Sequence, residues 1–167
     1  VEKLAEILAA YGLGGYLNII PFTKVQQQIR EKSPEAYLTL MMRICMMKIA
    51  NMTARGINSK CLITGESLAQ VASQTVENLT VTNSYAEFPV FRPLIGLDKE
   101  EITIEAKEIG TYETSILPYE DCCVMFSPKH PILHSNLKDA AEIFGRMEID
   151  GLLEEAYSQR EVKKMSF

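Results

Sequence analysis

The sequence predicts an α/β layer fold organised around a parallel sheet, and three observations carry that expectation. Segments with apolar residues at helical spacing alternate with short apolar runs of β type. One long stretch, 34–58, is apolar on several sides at once, which requires burial by other elements. Turn and cap residues punctuate the boundaries between these segments.

In chain order, Val1, Leu4, Ile7, Leu8 and Tyr11 form a helical stripe that Gly12, Gly14 and Gly15 end. Residues 16–22 (YLNIIPF) read as a buried strand, with Pro21 near its end. A helix over 23–32 is expected, with Thr23 as cap. A longer helix follows to about residue 58, with Ser33 as cap and Pro34 in its first turn. Leu38, Met41, Cys45, Ile49 and Met52 make one apolar stripe of it, and Leu40, Ile44 and Met47 another; Gly56 marks its end.

Residues 60–64 (KCLIT) read as the next strand. Residues 67–79 are helical in pattern but polar, with a break near Ser73. Pro89–Leu94 reads as a short strand limited by Pro93. The helix over 98–109 has Asp98 as cap, Glu101 completing a capping box and Gly110 beyond its end. Residues 111–135 are irregular, a length more often functional than idle. Helices are expected over 136–148 and 151–162, with Lys163 and Lys164 in a solvated tail.

The 167 residues are enough for one domain with a real core. Hydrophobic residues at 47% and charged residues at 23% are the mixture of an ordinary globular protein. No apolar run approaches the ~18 residues of a membrane span, and the amphipathic, partly acidic N-terminal segment is not a leader peptide, so a cytoplasmic location is expected. The net charge of −5 argues against a stand-alone nucleic-acid binder, which draws its affinity from a basic surface. Four cysteines do not suggest a disulfide framework: Cys45 and Cys61 sit in apolar contexts, and Cys122 and Cys123 are adjacent in the irregular segment.

Three places have chemical potential. Thr64-Gly65-Glu66-Ser67 lies where a strand passes through a glycine turn into a helix, a place where α/β folds bind ligands and where a helix start favours anions. Ser67 with Gln70 as a simple capping box is the structural reading of the same residues. Arg43, between Met42 and Ile44, must pair if buried, with a phosphate, with a structural acid, or by reaching solvent. In Tyr119-Glu120-Asp121-Cys122-Cys123 a cysteine can accept or carry sulfur if its thiolate is accessible, although Glu120 and Asp121 would raise its pKa; a pair of inert loop thiols is the structural reading of the same residues. His130 and His134 follow that pair, but adjacent cysteines chelate zinc poorly, so no metal site is expected.

The strings TGESLAQVASQT, RPLIGLDKEEI with EIGTYE, and PYEDCCVMFSPKHP, in that order, resemble the tRNA 4-thiouridine synthetase (ThiI) family from about Tyr16 to Pro131. The resemblance implies a PP-loop ATP-pyrophosphatase fold, a three-layer α/β sandwich that binds adenine nucleotides. Residues 1–135 would be the C-terminal part of that domain and 136–167 its helical extension. It implies ATP, with Mg2+ in the intact enzyme, as cofactor and tRNA as substrate. It implies a cysteine desulfurase as persulfide donor, with a homodimer and a role in thiamine biosynthesis as further expectations. The implied nucleotide contacts are Arg43, Gly65 and Gln74. The implied sulfur-transfer residue is Cys122, with Cys123 less secure.

The Ser-Gly-Gly-x-Asp-Ser phosphate loop of the family does not occur in this sequence. The expectation is therefore that the isolated chain neither hydrolyses ATP nor modifies tRNA. Alternatives are another PP-loop thiolase with a different target base, a non-catalytic docking or dimerisation module, and a thiol-metal module at Cys122, Cys123, His130 and His134.

Overall fold

A computed structural model describes residues 1–12, 14–118 and 128–165. The chain opens with helix α1 (Glu2–Tyr11), strand β1 (Gly15–Ile19) and helix α2 (Thr23–Lys32). A single 3-10 turn (Glu35–Tyr37) leads into the long helix α3 (Leu38–Gly56) and strand β2 (Leu62–Ile63). A second 3-10 turn (Ala72–Gln74), helix α4 (Val76–Asn83) and strand β3 (Val90–Phe91) follow. Helices α5 (Lys99–Glu108), α6 (Tyr112–Ser115), α7 (Leu137–Met147) and α8 (Asp150–Ser158) and strand β4 (Glu161–Met165) complete it.

The core is helical and centres on α3. Leu40, Met41, Ile44 and Cys45 are buried there against Val25 and Ile29 of α2. The other wall comes from α7 and α8. Ala140, Ile143, Phe144 and Met147 repeat at i, i+3, i+4 and i+7, so they form one stripe facing α3, and Leu153 and Ala156 extend it. Each fully buried aliphatic side chain contributes about 1.5–3 kcal/mol relative to exposure. Asn51 is the buried polar exception in α3. Its Nδ2 donates to the Tyr85 carbonyl at 2.7 Å and its Oδ1 accepts from the Glu87 N–H at 3.0 Å, which pins the chain leaving α4.

Strands β2 and β3 pair in parallel, Leu62 opposite Val90 and Ile63 opposite Phe91. The expected parallel pairing is therefore present, over two residues per strand rather than five or six. Pro89 and Pro93 flank β3 and supply no N–H to extend the ladder. Strand β1 belongs to a separate antiparallel pair with β4.

That second pair corrects the reading of the C-terminus. The helix stops at Ser158, and Glu161–Met165 is a strand against β1 with Lys163 Nζ 2.6 Å from Glu2 Oε1, not a solvated tail. Gly14, at φ +83, allows the Met165 carbonyl to come within 2.9 Å of where a Cβ would stand.

Two expected caps also differ. Phe22, not Thr23, precedes α2, and neither α2 nor α3 has a side-chain cap. The Ser33 hydroxyl instead donates to the Pro34 carbonyl, and the 3-10 turn intervenes. The α5 cap is as expected: Asp98 accepts from the Glu100 and Glu101 N–H groups, and the Glu101 carboxylate accepts from the Asp98 N–H. No helix among the described residues is long and apolar enough to cross a membrane.

Candidate nucleotide site

The C-terminal end of β2 runs directly into Thr64-Gly65-Glu66, and this turn faces the side of α3 that carries Arg43, Met47 and Ala50. Those three residues are spaced i, i+4 and i+7, so the helix presents them on one face. Between them lies a cleft of about 410 Å³, which Gln74 and Thr82 also line. Arg43, Gly65 and Gln74, which are 31 positions apart in sequence at the extremes (74 − 43), all line it. Ligands of α/β folds gather at the C-terminal ends of parallel strands, and this cleft occupies that position.

Its electrostatic centre is Glu66, which the sequence reading left without a role. The side chain is 2% exposed. Its Oε1 accepts from Arg43 Nη2, and its Oε2 accepts from Arg92 Nε at 2.7 Å and from the Thr64 hydroxyl at 2.8 Å. Burial pushes the carboxyl toward protonation. Hydrogen bonds from Arg92, Thr64 and Arg43, together with the Arg43 charge, outweigh that and hold it below the ordinary carboxylate range. Arg92 Nη1 also donates to Asn83 Oδ1 at 3.2 Å. Two guanidiniums on one carboxylate leave the cluster with one positive charge in excess.

Arg43 thus pairs with a structural acid and lines the cleft as well. A signal for Glu66 and Arg92 was present: each is a charged residue inside an otherwise apolar or small-residue strand context, where burial demands a partner.

The turn after Gly65 does not form the expected helix. The Ser67 hydroxyl donates to the Leu97 carbonyl at 2.6 Å, and Ala69 takes φ +61, which stops any helix there. The Ser67–Gln70 capping box is therefore absent, and no helix N-terminus faces the cleft at this point. Gln74 is instead placed by the 3-10 turn, its carbonyl accepting from the Ala69 N–H and its own N–H bonding the Val71 carbonyl. Thr75 then caps α4, accepting from the Asn78 N–H. A Cβ built on Gly65 meets nothing within 4 Å, so packing within the chain does not require glycine, whereas a side chain there would project into open space beside the cleft.

Residues 132–134 are tied to the same corner. Asn78 Nδ2 donates to the Ala72 and Ile132 carbonyls at 2.7 and 2.8 Å, and the Thr75 hydroxyl donates to the Leu133 carbonyl at 2.7 Å. His134 Nδ1 lies 2.8 Å from Glu77 Oε1. No group of three or more potential metal ligands occurs among the described residues. Cys122 and Cys123 lie outside those residues, so both the sulfur-transfer and the thiol-metal readings rest on sequence. Cys45 is buried in the helical core. Burial, with Asp150 adding to it and Lys48 opposing, pushes its thiol up to about 12 and keeps it protonated. Cys61 lines a larger apolar cavity of about 650 Å³ that shares Met46, Ala50, Leu62 and Ile63 with the charged cleft.

The family model described as thiamine biosynthesis protein (ThiI) matches residues 1–149. A protein of Treponema pallidum (strain Nichols) named "Probable tRNA sulfurtransferase" is 51% identical over 160 residues, covering 96% of this chain and 40% of that protein. One of the same name from Thermus thermophilus is 48% identical over 161 residues, again covering 96% and 40%. The crystal structure of a 4-thiouridine synthetase–RNA complex with bound ATP matches with a TM-score of 0.92 at 38% identity, covering 99% of this chain and 44% of that one. The chain thus spans about two fifths of the length of the curated relatives it matches.

Proposed function

The chain belongs to the ThiI family, and from that premise we propose that it forms part of an ATP-dependent tRNA sulfurtransferase. In this reading the enzyme adenylates a uridine of tRNA and replaces the activated oxygen with persulfide sulfur, giving 4-thiouridine. The observation that carries the reading is the convergence of Arg43, Gly65 and Gln74 on one cleft, in a fold that matches a synthetase solved with RNA and ATP.

The cleft suits a nucleotide on chemical grounds. Arg43 offers a guanidinium, the group best matched to phosphate oxygens. The excess positive charge of the Arg43–Glu66–Arg92 cluster favours an anion. Met46, Met47 and Ala50 supply an apolar wall against which a base can pack. The open space at Gly65 admits a ligand against the backbone.

Magnesium does not fit the described donors: Glu66, the one carboxylate lining this cleft among the described residues, has both oxygens engaged by cations and a hydroxyl. Mg2+ bound by the triphosphate itself is the form we propose. Cys122, with Cys123 as second choice, is proposed to carry sulfur. A persulfide is a softer nucleophile than water: its outer sulfur attacks the activated uracil carbon, and adenylate departs. A second thiol then attacks the inner sulfur, so that the S–S bond breaks, the sulfur stays on the base and a disulfide is left behind.

A cysteine desulfurase as sulfur donor, a homodimer, a cytoplasmic location and a contribution to thiamine biosynthesis complete the reading. A docking module without chemistry is not favoured, because it gives no account of a buried charged cluster facing a cleft.

The test uses the full-length protein with tRNA, ATP and a persulfide source. Cys122→Ser is expected to abolish 4-thiouridine while leaving ATP-dependent adenylation measurable, and Cys123→Ser to do less. Equal thiolation by both variants overturns the sulfur assignment. A thiolated base other than 4-thiouridine overturns the substrate.

A further inference from the structure

Arg43 sits on a long, flexible side chain, and a free arginine loses considerable rotamer entropy when it is held at a ligand. The structure holds it beforehand. Glu66 is buried, cannot swing to solvent, and takes Arg43 Nη2 on one oxygen, while Thr64 and Arg92 fix the other oxygen at 2.8 and 2.7 Å. Arg92 is in turn tied to Asn83 and is the less exposed of the two arginines, at 16% against 27% for Arg43. The carboxylate is thereby shared, and it does not neutralise Arg43 fully. The excess charge is presented at the cleft by the arginine that lines it.

We propose that Glu66 is the positioning residue of the site: fixed by Arg92 and Thr64, it orients Arg43 toward an anionic group bound in the cleft. The proposal rests on the nucleotide reading given above. It assigns Glu66 no contact with the nucleotide, and Arg92 acts through Glu66 alone.

A double-mutant cycle on the full-length protein tests it, with the α,β-methylene analogue of ATP as probe and calorimetric Kd as readout. Arg43→Ala is expected to raise Kd roughly tenfold or more, the loss of a charge-assisted contact. Glu66→Gln keeps the side-chain shape and removes the charge, and is expected to raise Kd several-fold. The double variant is expected to bind no more weakly than Arg43→Ala alone, because Glu66 acts through Arg43. A merely structural role for Glu66 would add its own loss in the double variant, and that additivity overturns the proposal. An unchanged Kd in Glu66→Gln overturns it too. An unchanged Kd in Arg43→Ala instead sinks the nucleotide reading itself, so the two failures are distinct. If Glu66→Gln melts below the assay temperature, Arg92→Gln takes its place in the cycle with the same expectations.

Discussion

The two sides of α3 differ in how they achieve burial, and the difference locates the chemistry. Toward α2, α7 and α8 the helix meets complementary apolar stripes, and Met41, Ile44, Cys45, Met147 and Leu153 are all fully enclosed. Toward β2 and β3 it meets a two-stranded sheet with clefts beside it. There Ile63 and Phe91, paired across the parallel ladder, remain 70% and 58% exposed. Parallel strands are ordinarily covered on both faces. The helical side thus satisfies its own packing, while the sheet side keeps apolar surface, a charged cluster and open volume. Apolar packing is concentrated on one side, and the charged cluster and its cleft on the other.

The largest expected effect tests whether the sheet side has one stability-bearing feature of its own. Glu66→Ala strands two arginines beside a buried void and is expected to cost about 3–5 kcal/mol, as breaking a buried ion pair does, read from urea midpoints. A cost under about 1 kcal/mol would mean that water reaches the cluster and solvates both cations. The same group has a pH signature. Its folded pKa lies below the ordinary value, so its contribution is complete above about pH 4.3 and is lost as pH falls through the lowered folded value. Glu66→Gln is expected to flatten the acid limb of the stability profile below the ordinary carboxylate range, where a carboxyl with a lowered folded pKa takes up its proton. An unaltered limb would assign that dependence to other carboxylates.

Next in size is Leu153→Ala, from the enclosed side, expected to cost about 2–5 kcal/mol through lost burial and a residual cavity. Asp98→Ala removes the cap of α5, a helix with no buried residue, and is expected to cost about 1 kcal/mol. Smallest is Ile63→Ser on the exposed face, expected to shift stability by less than about 0.5 kcal/mol, read from urea midpoints. Should Ile63→Ser prove as costly as Leu153→Ala, the contrast between the two sides of α3 would collapse.

The contrast also explains what was legible in the sequence. The enclosed side was readable because its signal is periodic: the stripes of α3 and the i, i+3, i+4, i+7 pattern of α7 depend only on local spacing. The α5 capping box was readable for a similar reason, since all its partners lie within three residues. The segment after Gly65 misled because a good local cap, Ser67 with Gln70, competes with a tertiary partner. The Leu97 carbonyl, 30 positions away, takes the Ser67 hydroxyl, and no local pattern encodes that. Lys163 and Lys164 misled similarly. A charged edge strand of two lysines looks like a tail until β1 is placed beside it.

At the site, Arg43 was legible as a cation in an apolar helix that needs a partner, and the choice between structural acid and ligand could not be made locally. Tertiary structure supplies both, Glu66 on one oxygen and a cleft alongside. Glu66 carries no local signal of which partners it takes, because its two arginines lie 23 and 26 positions away.

By itself the sequence determined the layer fold, the buried length of α3, the α5 cap and the family, because these are written in residue spacing and in runs of matching residues. Only the tertiary structure decided the shared carboxylate between Arg43 and Arg92, the diversion of Ser67 and the β1–β4 pairing. Each of these joins groups at least 23 positions apart, and at that separation the partner is chosen by how the layers pack rather than by the neighbours along the chain.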